Sequence, residues 1–164
     1  MRLDGPLWRY ALRLYAMPGV APACLALQER LGLDVPLLIA VLHARRQGFA
    51  VDAAGIARLD AAVADWRRDT IAPLRTIRQR MKSHPWMAHA PIVPACRDSV
   101  KALELQAEQI ALAVLEQEIA TLPPAPGAGA ADFLALIRLT CGHFTPGAPE
   151  APEMRLIAEA AAQP

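Results

Sequence analysis

The feature that most constrains this chain is a long amphipathic stripe between Asp52 and Ser83. Ile56, Leu59, Val63, Trp66, Leu74, Ile77 and Met81 recur in steps of three and four, with Thr70 and Pro73 filling the gap. That spacing lines them along one side of a helix of 3.6 residues per turn. The opposite side carries Arg58, Asp60, Asp65, Arg67, Arg68, Arg75, Arg78 and Lys82. One side of so long a helix has to be covered, so the rest of the chain is expected to pack around it. Pro73 removes a backbone donor and crowds the preceding turn, which predicts a kink or a restart near Thr70.

The covering material is helical too. The sequence is 54% hydrophobic with only 5% aromatic residues. Alanine, leucine, arginine and glutamate lose little entropy in a helix, and no alternating β-branched run of strand length occurs. The expectation is an all-α, compact bundle of about five main helices with the third at its centre, plus one or two short C-terminal helices. At 164 residues, one core is the natural outcome. Residues 1–122 are expected to form it. Residues 123–164, with Pro/Ala/Gly linkers, add short helices packing on or near it and docking loosely.

Local signals mark the elements in order. Asp4 can cap a first helix with Pro6 in its first turn, and Pro18-Gly19 stops it. Val20 to Leu31 forms a second, ended by Gly32 in a left-handed conformation. Asp34 caps the third, whose Leu37, Leu38, Ile39, Val41 and Leu42 leave it no polar face. Arg45, Arg46 and Gly48 close it. Asp52 caps the fourth. Ser83 to Pro94 reads as a loop holding Trp86 between His84 and His89. A fifth helix runs from about Pro94 to Leu122. Pro123 to Ala131 is a linker without packing potential, after which Asp132 caps a helix from Phe133 to about His143. Glu153 to Ala162 makes a last amphipathic turn or two.

Function classes narrow by charge and motif. A net charge of +1 gives no global basic field. The longest apolar run, Pro36 to Leu42, is too short to span a bilayer, and Met1 to Tyr15 lacks the apolar block of a signal peptide. Three widely spaced cysteines, Cys24, Cys96 and Cys141, read as buried free thiols of a cytoplasmic protein. No zinc motif is present; Cys141-Gly142-His143 is a two-ligand fragment. No phosphate loop or nucleophile motif occurs, and Glu116 and Glu118 show no pKa-shifting environment. No cofactor or metal is indicated, and the reading leans away from an enzyme.

Two surfaces remain as candidates. Arg68, Arg75 and Lys82 repeat at seven, and Arg78 lies beside them, so they share a face. They form either a binding strip or a set of ion pairs. Glu104 and Glu108, themselves four apart on the fifth helix, are the partners expected for Arg75. Trp8 and Trp66 lie on apolar stripes and are expected in the core. Trp86, in a loop among prolines, is a candidate partner anchor.

Trp8, Leu14-Tyr15, the run PGVAPACLALQERLGLDVPLLI from Pro18 to Ile39, then Trp66, Pro73-Leu74-Arg75, Arg78 and Lys82 make a recognisable pattern. It resembles a family of short, uncharacterised proteobacterial proteins, W…LY…PGVA..CL.LQ…G.DV..LL followed by W……PLR..R..LK. Lys101 to Glu108 is similar to that family's later helix. The likeness covers roughly residues 8 to 110. Pro36 replaces an expected asparagine, and Met81 an expected leucine. The resemblance implies no activity. The residues point to a helical protein-interaction module, an adaptor or regulator, using the arginine face or the Trp86 loop. The alternative is an anion or nucleic-acid binder using the same arginines. A protein partner is expected, membrane insertion is not, and homo-oligomerisation stays open.

Overall fold

A computed structural model describes residues 2–88, 92–125 and 133–163. Eight α-helices lie among these residues: α1 (Pro6–Ala16), α2 (Val20–Leu31), α3 (Val35–Arg46), α4 (Ala53–Trp66), α5 (Ala72–Lys82), α6 (Ile92–Ile119), α7 (Phe133–Phe144) and α8 (Pro152–Ala162). A single π-helical turn, Arg67–Ile71, joins α4 to α5 without leaving helical dihedrals. The stripe from Asp52 to Ser83 is therefore one continuous helix. Pro73 neither breaks nor restarts it. The widened turn just before the proline, where the Ala72 N–H reaches back to the Arg67 carbonyl, makes room for the ring.

The third helix is central, as its composition requires. Every residue from Val35 to Ala44 is buried, and α3 touches α1, α2, α4, α6 and α7. Its cap is Asp34, whose Oδ1 accepts the Leu37 N–H at 2.7 Å. Asp52 caps α4 in the same way through the Gly55 N–H at 2.8 Å. Gly32 ends α2 at φ 65°, a conformation glycine adopts without strain.

Several local expectations are corrected. Asp4 does not cap α1; it pairs with Arg2 at the surface. The Leu7 N–H is satisfied from α6, by Glu116 Oε2 at 2.9 Å. The carboxylate comes so close to Gly5 that any Cβ there would collide with it. Cys24 and Cys141 are buried, but Cys96 is exposed near the start of α6. Trp66 is not a core residue. Its ring lies at the rim, 38% exposed, with Nε1 donating to the Ala107 carbonyl at 3.0 Å. The stripe there faces the α6 backbone, so the indole clamps two helices rather than filling a hole.

The C-terminal helices are not loosely docked. Ile137, Cys141 and Ile157 are fully buried in the common core, and α8 lies along α2 and α7. Arg46 donates to the Ala161 and Gln163 carbonyls at the end of α8. Thr145 Oγ1 donates to the Leu31 carbonyl at the end of α2, at 2.8 Å. The first linker residues also pack: Ala50 N–H bonds to the Pro123 carbonyl and Ala125 N–H to the Gly48 carbonyl, around an isolated bridge of Phe49 with Pro124. Asp132 and His89 lie outside the described residues.

Candidate functional site

Beyond this body the chain projects. No residue of α5 is buried, and none of α6 before Glu104. These segments, with the 3₁₀ turn Pro85–Ala88 between them, form a helical hairpin whose sides mostly face solvent. Where it joins the body, the predicted arginine face meets the predicted glutamates. Arg75 Nε donates to Glu104 Oε1 at 3.0 Å, and its Nη2 to Glu108 Oε1 at 2.6 Å. Arg78 grips both oxygens of Glu104 through Nε and Nη2. Glu104 is only 5% exposed, so two guanidiniums hold one buried carboxylate.

The two glutamates respond in opposite directions. Burial pushes Glu104 up, but hydrogen bonds and charge from Arg78 and Arg75 outweigh it, leaving its pKa below the usual range. Burial also pushes Glu108 up, and the opposing Arg75 does not compensate while Glu104 repels, so its pKa stands above the usual range. Arg75, Glu104 and Glu108 are thus brought together. Arg78, expected on an open strip, joins them because α5 turns that side toward α6. Arg68 lies elsewhere on the helix, two-thirds exposed, and pairs with its neighbours Asp65 and Asp69 at 2.7 and 2.8 Å. Lys82 and Trp86 are exposed at the far end; Trp86 is 65% exposed, and Lys82 has no partner among the described residues. The strip is therefore not one surface.

The ion pairs form one wall of a half-open cavity of about 350 Å³. The opposite wall is apolar: Trp8, Leu12 and Tyr15 from α1, Leu25 from α2, and Ile39 from α3. Lys101 and Leu105 of α6 complete it. Burial raises the Tyr15 hydroxyl's pKa well above the ordinary phenolic value. Leu12, Leu25 and Leu105 are each about half exposed, which concentrates apolar surface around this opening. The sequence pattern did not show the cavity, since it depends on how α1 and α2 sit against the hairpin.

A second ionic cluster also escaped the sequence reading. Arg67, in the π turn, bonds Asp34 Oδ2 at 2.9 Å and pairs with Asp60 Oδ1 at 2.6 Å. Asp60 also meets His143 Nε2 at 2.9 Å, and the guanidinium stacks over Phe144 at 5.5 Å. The spacing of Asp60 and Arg67, seven residues on one helix, was the available signal. The cluster ties α3, α4 and α7 together. No group of three or more metal-ligating side chains converges among the described residues.

No single helix among the described residues is long and apolar enough to cross a membrane. No curated protein and no solved structure matches the chain. A family model does match, over residues 6–115, which takes in α1 to α5 and most of α6 with both walls of the cavity. The chain belongs to that family, described as a protein of unknown function, DUF2390.

Proposed function

We propose that this protein is a non-catalytic helical interaction module of the bacterial cytoplasm, and that the α5–α6 hairpin presents its recognition surface to another protein. The observation that carries this reading is the hairpin's exposure: Trp86 at 65% and Ile92 at 73% stand on a segment of which no described residue from Ala72 up to Glu104 is buried. An exposed tryptophan among smaller apolar groups is the usual form of an interface anchor. Charge narrows the partner. Between residues 76 and 102 the only acidic residue is Asp98, against Arg78, Arg80, Lys82, Arg97 and Lys101. Arg78 is engaged by Glu104 and Lys101 lines the cavity at the hairpin base; Arg80, Lys82 and Arg97 favour an acidic protein surface with an apolar pocket for the indole. Free thiols at Cys24, Cys96 and Cys141 agree with a reducing compartment.

The test is affinity capture with the full chain against its Trp86→Ser variant, with melting measured in parallel. A partner retained by the parent and lost by the variant, at unchanged melting temperature, supports the reading. Capture that survives Trp86→Ser overturns it. Capture abolished by nuclease, or falling steeply with salt, replaces the protein partner by a nucleic acid bound through the same cations.

A further inference from the structure

We propose that the cavity between α1, α2 and the base of the hairpin binds a small amphipathic carboxylate, an acyl or aryl chain ending in one negative charge. This site is separate from the Trp86 tip and stands whether or not the tip binds a protein.

The size and shape suit a small molecule. About 350 Å³ falls at the compact end of known ligand sites, which combine apolar walls with a few placed polar groups. Here the apolar part is Trp8, Leu12, Leu25 and Ile39. Leu12 is 52% exposed and Leu25 48%, surface that a bound chain would remove from water.

The polar part selects the charge. Three cations line the cavity, Arg75, Arg78 and Lys101, against two carboxylates, Glu104 and Glu108. Both glutamates are already engaged by arginine. A guanidinium has five N–H donors, and each arginine uses only Nε and Nη2 on them. The Nη1 donors of both, together with the Lys101 ammonium, have no partner among the described residues. An incoming carboxylate meets unused donors and a surplus positive charge. An incoming amine meets three cations, a Glu104 engaged through both oxygens and a Glu108 already paired through one. A neutral alcohol gains only the apolar wall.

Decanoate, decanol and decylamine, of equal chain length, separate these cases when titrated into the ¹⁵N-labelled full chain by NMR. Decanoate should saturate and shift the Trp8 indole resonance and the amides of Leu12 and Leu25. Decanol should bind at least about tenfold more weakly, since a charge-assisted contact is lost. Lys101→Gln should weaken decanoate several-fold and leave decanol unchanged. Leu25→Asn, at a half-exposed position that does not threaten folding, should weaken both. Trp86→Ser should change neither, which keeps this result distinct from partner capture. Absence of saturable decanoate binding, equal affinity for decanol, preference for decylamine, or shifts confined to another part of the molecule would each overturn the proposal.

Discussion

The two halves of the helix from residue 53 to 82 carry the same apolar period and meet different fates. In the first, α4, Ile56 and Leu59 are fully buried and Val63 nearly so. In the second, α5, nothing is buried: Ile77 is 48% exposed, and Leu74 only leans on the core. The cause is what lies opposite. α4 faces α3, α6 and α7 at once, whereas α5 faces α6 almost alone. One helix can shield one side of another, but it takes several to exclude water from it. Periodicity states which side of a helix is apolar; the number of neighbours decides whether that side becomes core or an exposed surface.

The sharpest way to break this comparison is to cut the same stripe on each side of the π turn. Leu59→Ala should cost about 2–5 kcal/mol, the range for emptying a fully buried leucine site. Ile77→Ala should cost less than about 1 kcal/mol, because most of what it loses already faces water. Urea denaturation of both variants measures the difference. Equal costs would mean that the hairpin is folded into the core and has no surface to offer.

Acid should separate the two regions next. His43 lies in the body, buried on α3 against the Tyr10 ring at 5.1 Å. Burial, then the charges of Arg46 and Arg13, hold its pKa down to about 4 from an ordinary 6.5. A depressed base favours the fold above its unfolded pKa and stops doing so as the unfolded chain takes up its proton. Stability is therefore complete above pH 6.5 and falls between 6.5 and about 4, by up to about 3 kcal/mol. His43→Leu should flatten that slope in denaturation curves taken at pH 7 and pH 4.5. A parent protein equally stable at both values would show that His43 gains its proton inside the fold.

What was legible in the sequence was local or periodic. Asp34, Asp52 and Gly32 are read from their neighbours, since a cap is a matter of three or four residues. Arg75 with Glu104 and Glu108 was also legible, because two glutamates a turn apart need a cation and the nearby helix supplied one. What escaped depends on distant placement. Glu116 capping α1 spans more than a hundred residues, and Arg67 joins side chains of three helices. Trp66 sat in register with the stripe yet met a backbone instead of side chains. The cavity had no sequence signal, because it is the space left where α1, α2 and the hairpin fail to close.

The smallest expected effect concerns the hinge between the two regions, and it decides what the arginines are for. Arg75→Ala alone leaves the half-buried Glu108, with its raised pKa, without its hydrogen-bonded counter-charge, while Arg78 still holds Glu104. Glu104→Gln alone removes the charge that pairs with Arg78 and leaves Arg75 paired with Glu108 only. If the three groups act as a unit, the double variant should cost less than the sum of the singles by about 1–2 kcal/mol, within the usual coupling of contacting residues. Acid should erode this coupling unevenly. Glu104, with a lowered pKa, stabilises the fold above the ordinary carboxylate range and stops as pH falls through its folded value. Glu108, with a raised pKa, contributes stability below its unfolded value and loses it as pH rises through the folded one. The two act on opposite sides of the ordinary carboxylate value, Glu104 below it and Glu108 above it, so the slope on each side reports its own glutamate. Additivity within about 0.5 kcal/mol would mean that each arginine acts alone. The glutamates would then be neighbours rather than partners, and the cations at the hairpin base would be more available to an anion than the geometry implies.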